Sequence, residues 1–277
     1  MDWSSFQNWL GTAPILTIGA TLFGSMCLAA VLGTVSRIWH AKRFGPAPEK
    51  TDQEAYIVSA VLGLLALLLG FTFSLAADRF DLRRLLVIQE ANAIETAYLR
   101  AQLLGEPHRT RMSELLVRYT DTRLAFAQAK PTRVRELLAV NDALIVEMWA
   151  ASRAAFESVK GLDFSSTFID GMSQIVELDA SRKAARFARV PAGIFVVLFV
   201  ALIASAAVLG FVMSNFGGRI AAGLLLLLFT LVLMLIIDID RPTRGTIVEA
   251  QGPMEELRKT LATWPPSKFD HWRLASP

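Results

Sequence analysis

Five residues of one apolar segment, Gly63, Leu67, Gly70, Phe71 and Ser74, recur every three or four positions and so share one face of a helix. Two glycines, a serine and two bulky apolar side chains offer no nucleophile, acid or metal ligand. Repeated around an axis they form a narrow apolar constriction, which can gate by dewetting. Alone, the same face suits packing against neighbouring membrane helices through small residues. Asp78 and Asp81 follow three apart on one face, where rings of carboxylate would concentrate cations; the plainer reading is a solvated surface offset by Arg79, Arg83 and Arg84. Further on, Glu90, Asn92 and Glu95 stand among Ala91, Ala93, Ile94 and Ala97. Asn92 and Glu95 share a face and are expected to line a vestibule outside the membrane.

Two other charged groups sit at edges of apolar segments. Asp238, Asp240 and Arg241 close the last one, and ionisable groups at that depth are expected to form a structural ion pair. Arg182, Lys183, Arg186 and Arg189 lead into the third, which suits contact with anionic lipid headgroups. His40, His108 and His271 fall in no ligand spacing, and no zinc motif, nucleophile elbow, phosphate-binding loop or dinucleotide fingerprint is present. The reading is therefore not an enzyme, with no metal and no cofactor expected. The single cysteine, Cys27, excludes an intrachain disulfide and reads as a small buried residue.

The elements that must carry these residues follow from the hydropathy. Of 277 residues 53% are hydrophobic and 19% charged, with a mean hydropathy of +0.44, and the apolar residues fall in blocks of bilayer length. A net charge of +3, not gathered on one segment, gives no nucleic-acid footprint. Spans are predicted at about 14–35, 56–77, 190–213 and 220–237. The first is rich in glycine and alanine and is expected to pack against protein over much of its surface; with no Lys or Arg before Arg37 it reads as a retained helix and not a cleaved signal. Trp3, Trp9 and Trp39 suit the two interfaces. The fourth, with its run of leucines, is the one expected to face lipid. Between the pairs, apolar residues recur at helical spacing, with breaks at Gly105-Glu106-Pro107, Pro131 and Gly161-Leu162-Asp163. About four helices are expected there, with Thr132 capping the one after Pro131 and Asp163 or Ser165 the next, and a short helix is expected around Met254 to Leu261. The fold class is all-α, a polytopic membrane protein with four transmembrane helices in two pairs and a helical cytoplasmic region between them. The divisions are 1–77, 78–189, 190–238 and a C-terminal tail, 239–277. Loops flanked by Pro46 and Pro48 and by Ser214 to Gly218 join each pair.

Four spans place both termini and the helical region on one side. Near the membrane ends that side carries Arg79, Arg83, Arg84, Arg182, Lys183, Arg186, Arg189, Arg241 and Arg244. The other carries only Arg37, Lys42, Arg43, Lys50 and Arg219, so the helical side is expected to be cytoplasmic.

Leu67-Leu68-Leu69-Gly70-Phe71, followed by Arg79-Phe80, resembles the pore helix of bestrophin channels. The flanks resemble more closely a bacterial bestrophin-like family. The marks are Gly70-Phe71-Thr72-Phe73-Ser74 through Asp78-Arg79-Phe80-Asp81, Glu90-Ala91-Asn92-Ala93-Ile94 with Thr96-Ala97-Tyr98-Leu99-Arg100, and Asp238-Ile239-Asp240-Arg241-Pro242 with Gly245 and Pro253-Met254. The resemblance covers most of the chain. It implies a homo-oligomer, a pentamer in bestrophins, whose second span lines an axial pore for permeating ions, with a neck at Leu67 and Phe71. Gly63, one turn earlier, departs from the bulky residue that bestrophins place there. The family's calcium clasp after the fourth span is matched only by Asp238 and Asp240, split by Ile239, so calcium gating is not expected. The expectation is an oligomeric ion channel of a bacterial inner membrane, leaning to monovalent cations through the carboxylates at the exit of the second span. The rival is a non-conducting scaffold that docks a cytoplasmic partner. A secondary transporter would need inverted repeats with broken spans, which are not seen.

Overall fold

The computed structural model describes residues 3–45, 52–130, 132–213, 215–242 and 245–270, without the side chains of 3, 4 and 52–55. Pro46, Pro48, Lys50, Pro131, Ser214, Arg244 and His271, and the side chain of Trp3, lie outside the described residues. The described chain is helical, with no strand: α1 (Trp3–Thr12), α2 (Ile15–Phe44), α3 (Asp52–Ala101), α4 (His108–Ala127), α5 (Val134–Val159), α6 (Phe164–Phe187), α7 (Ala192–Val212), α8 (Phe216–Asp240) and α9 (Gly252–Thr263), then a 3₁₀ turn, Pro266–Asp270. Four of these helices have stretches long and apolar enough to cross a membrane. The breaks after α3, α4 and α5 fall at the expected glycine and proline sites. The cap at Thr132 does not form; Arg133 takes the N-cap position of α5, with no side-chain cap bond. At α8 the Asn215 side chain accepts the Gly218 N–H at 3.1 Å, satisfying one orphan donor of the first turn.

The chain divides into two compact units. One holds the described residues up to Phe80 with Ala188–Val248; the other holds Asp81–Phe187 with the described residues from Glu249 on. The predicted tail is thus divided: its described residues up to Val248 belong to the apolar unit and those from Glu249 on to the helical one.

In the apolar unit α2 packs on α7 and α8. Gly33 and Gly210 explain how closely: a Cβ on Gly33 would run into the Ala207 carbonyl, and one on Gly210 into the Ala30 carbonyl. Thr34 Oγ1 adds a bond to the Gly210 carbonyl at 3.0 Å across this contact. Burial on α2 follows one stripe, Ile18, Leu22, Met26, Ala29 and Gly33, while Leu28, Val31, Leu32 and Val35 stay exposed. Within the chain the first span therefore packs along one face. Within the chain the second span is the least covered: 22% of its most apolar window is buried, against 28% for α8. Leucine content does not decide this; the number of intrachain neighbours does.

The helical unit is built on Val87, Ile94 and Tyr98 of α3, Leu115, Leu116 and Tyr119 of α4, Leu144 and Met148 of α5, Phe168, Met172 and Ile175 of α6, and Met254, Leu257 and Leu261 of α9. The short helix α9, read as part of a tail, contributes to this core. Arg109 of α4 holds the final turn, donating to Glu106 at 2.6 Å and to Asp270 at 2.7 Å.

Candidate functional site

Helix α3 carries two faces at heptad-like spacing. Its inner face is buried: Val58, Leu65, Leu69, Thr72 and Ala76 in the apolar unit, and Arg83, Val87, Glu90, Ile94, Ala97 and Ala101 in the helical unit. Its outer face is exposed at Gly63, Leu64, Leu67, Gly70, Phe71, Ser74 and Asp78 in the apolar unit. It is exposed again at Asp81, Leu85 and Asn92 in the helical unit, where Glu95 is half-buried. The spacing of three and four, sustained along both faces, is the pattern that brings a helix onto other helices at a constant angle.

All five predicted constriction residues thus lie together on the outer face. Phe71 is 66% and Leu67 52% exposed, so neither serves the core of its own protomer. Gly63 and Gly70 are more informative. A Cβ at either position would meet no atom within 4 Å, unlike Gly33 and Gly210. Nothing inside the described chain requires glycine there, and the same holds for Gly24 of α2 and Gly223 of α8. Asp78 and Asp81 are exposed as the sequence suggests.

Glu90 is different. It shares α3 with Asn92 and Glu95 but points into the helical unit, fully buried. It accepts the Tyr119 hydroxyl at 2.7 Å and pairs with Arg123 at 3.0 Å and with Arg182. Arg123 also reaches Asp179 at 3.0 Å, and Asp179 accepts from Asn141 at 2.9 Å and pairs with Lys183 at 2.6 Å. Burial pushes the Tyr119 hydroxyl well above its ordinary range, and the Glu90 charge adds to the effect. Burial opposes the charge on Arg123, but Glu90 and Asp179 outweigh it and hold the guanidinium more basic than usual. The spacing of α3 places Glu90 three and four residues from Val87 and Ile94, which is the signal that could have separated it from Asn92.

This network corrects the headgroup reading of the basic run. Arg182 sits on Glu90 and lies 3.6 Å from Glu249. Lys183 bridges Asp179 and Asp142. Arg186 lies over the Phe126 ring at 4.2 Å. All three are spent inside the helical unit, because the helix that carries them buries the side they occupy. Arg189 belongs to the apolar unit and lies beside Gly11 of α1.

The end of α8 works through backbone contacts. Asp238 accepts the Thr246 N–H at 2.9 Å and hydroxyl at 2.6 Å, and the Ile247 N–H at 3.1 Å. A Cβ at Gly245 would strike the Asp238 carbonyl and carboxylate, so the glycine lets the chain fold back this tightly. Asp240 accepts the Val190 N–H at 3.0 Å ahead of α7. Arg241 donates through Nε to the Leu10 carbonyl at 2.9 Å, tying α1 to the end of α8. The trio is buried and holds three chain segments together, a role for which an ion pair alone is too narrow a description.

A family model described as a Bestrophin-like domain matches residues 28–248. The chain belongs to the bestrophin-like family. Among solved structures, three variants of a bacterial bestrophin homologue from Klebsiella pneumoniae share the fold. The variant with a Leu-to-Thr substitution has 16% identity and a TM-score of 0.67, covering 88% of this chain and 98% of that one. A Tyr-to-Ala variant has 15% identity and a TM-score of 0.67, with 88% and 97% covered. A Trp-to-Ala variant has 13% identity and a TM-score of 0.68, with 91% and 98% covered. No curated protein matches the chain. The bestrophin-like match begins inside α2 and ends in the segment that Asp238 folds back, so it includes the whole of α3 and the whole basic run. This is a bestrophin-like membrane protein with an all-helical fold, and within it the outer face of α3 is one of the surfaces that the chain itself leaves uncovered.

Proposed function

We propose that this bestrophin-like protein is an oligomeric ion channel of the bacterial inner membrane, a homo-pentamer whose α3 helices surround an axial pore. The observation that carries the proposal is the outer face of α3, where large apolar side chains alternate with two glycines that no intrachain neighbour requires. A face meant for lipid has little reason to continue from glycine and serine into Asp78. A face shared around an axis does: Leu67 and Phe71 form the neck, the glycines and Ser74 widen it, and Asp78 and Asp81 ring its exit. Asn92 and Glu95 line the cytoplasmic continuation, and both termini are cytoplasmic. Rings of carboxylate favour cations, and the absence of any tight ligand set among them favours monovalent ones.

The test is purified protein in a planar bilayer with asymmetric KCl. The expected result is a finite current reversing on the potassium side of zero. In the double variant Asp78→Asn with Asp81→Asn the reversal moves toward zero. Protein that inserts but carries no current fits the scaffold reading. A reversal on the chloride side contradicts the cation assignment while leaving the channel in place.

A further inference from the structure

The helical unit contains a cavity on the buried side of α3, away from the face proposed as the pore. Four guanidiniums line it: Arg83 from α3, Arg123 from α4, and Arg182 and Arg186 from α6. Glu249, just ahead of α9, is the one carboxylate in its wall among the described residues, and Phe126 supplies an apolar side. Arg83 and Arg123 are 3% and 1% exposed. The volume is about 10 Å³, room for a single water-sized guest.

Gathering four like charges around so small a space, two of them buried and two half-buried, is costly unless something answers them. Arg123 and Arg182 are answered in part by Glu90, and Arg182 lies near Glu249 and Gln251 as well. Arg186 and Arg123 both lie over the ring of Phe126, at 4.2 and 5.7 Å. A ring face attracts a cation but replaces only part of the hydration that the cation has lost, and burial makes the Arg186 guanidinium less basic than usual. Guanidinium forks are strong donors to anions, and the space admits one atom, not a phosphate or a sulfate. We propose that this cavity binds a single monovalent anion of halide size, with Glu249 as its competitor for the arginines.

Glu249 sets the pH dependence. Burial raises its carboxyl above the ordinary range although Arg182, Arg83 and Arg186 pull the other way. The other charges around the site are Arg123 of α4, Glu90 of α3, and Asp179 and Lys183 of α6, with Asp142 of α5 on Lys183. Acidification neutralises Glu249 at a higher pH than an ordinary carboxylate, leaves the arginines charged, and so favours the anion. The folded protein with a raised carboxyl gains stability below the ordinary carboxylate range and loses it as pH rises through the raised value.

The test is the thermal midpoint of the full chain in nanodiscs, with sodium chloride replacing sodium gluconate at constant ionic strength. Chloride raises the midpoint saturably, at lower concentration at pH 5.5 than at pH 7.5. Glu249→Gln lowers the half-saturating chloride at pH 7.5 by roughly an order of magnitude or more and removes its pH dependence. Arg186→Gln abolishes the saturable response, while Arg84→Gln, exposed on the same unit, keeps it. Equal midpoints in the two salts, or a response unchanged by Glu249→Gln, overturn the proposal. If Arg186→Gln does not fold, Glu249→Gln decides alone. The outcome is independent of whether the protein conducts.

Discussion

At the scale of single residues, the buried charges of the helical unit are its most demanding feature. Glu90 is enclosed with two guanidiniums and a tyrosine hydroxyl, and it is the carboxylate that the two guanidiniums share. Glu90→Ala is expected to destabilise the protein by about 3–5 kcal/mol, because it leaves Arg123 and Arg182 buried without their carboxylate. Chemical denaturation of the purified protein measures this. The exposed pair Lys160–Glu157 is the control: Glu157→Gln is expected to leave the denaturation midpoint unchanged, since such pairs are screened by water and salt. This scale was the least legible in the sequence. Arg182, Lys183 and Arg186 look like headgroup ligands because they precede an apolar span. Asp179, four residues before Lys183 on the same helix, is a local partner, but Glu90 and Asp142 lie far away along the chain. No local pattern pairs residues so distant. Gly63 and Phe71, by contrast, were legible because a helix face is a local property.

At the scale of elements, two kinds of glycine in the spans give opposite predictions. Gly33 and Gly210 let α2 and α7 touch backbone to backbone. Gly210→Leu is expected to force them apart and to lower the thermal midpoint by several degrees, the response to a loss of about 2 kcal/mol or more by overpacking. Gly70→Ala meets open space within the protomer. It is expected to leave the midpoint of the protomer unchanged while altering the conductance, since its added methyl projects onto the shared axis. A fall in midpoint for Gly70→Ala without a change in conductance would place this face against protein or lipid and not around a pore. The elements themselves were largely readable. Apolar blocks of bilayer length fixed the spans, and glycine and proline fixed the breaks. Helix α1 was not anticipated, because ten residues with Trp3 and Trp9 are too short for a span. What holds it is the bond from Arg241 to the Leu10 carbonyl, which no reading of residues 3–12 alone can supply. The covered side of each span was also out of reach, since hydropathy counts apolar residues but not the neighbours that meet them.

At the scale of the whole molecule, the account rests on copies of α3 meeting around water. The particle mass in nanodiscs is expected to correspond to five chains, and a single chain would end the pore proposal whatever its fold. The most direct test is thiol accessibility along the outer face of α3. On a Cys27→Ser background, single cysteines are placed at positions 63 to 74 and exposed to a membrane-impermeant thiol reagent during recording. The account predicts that Gly63→Cys, Leu67→Cys, Gly70→Cys and Ser74→Cys are modified and that their modification reduces the current, while Leu65→Cys, Leu69→Cys and Thr72→Cys are protected. Protection at every one of these positions would contradict it.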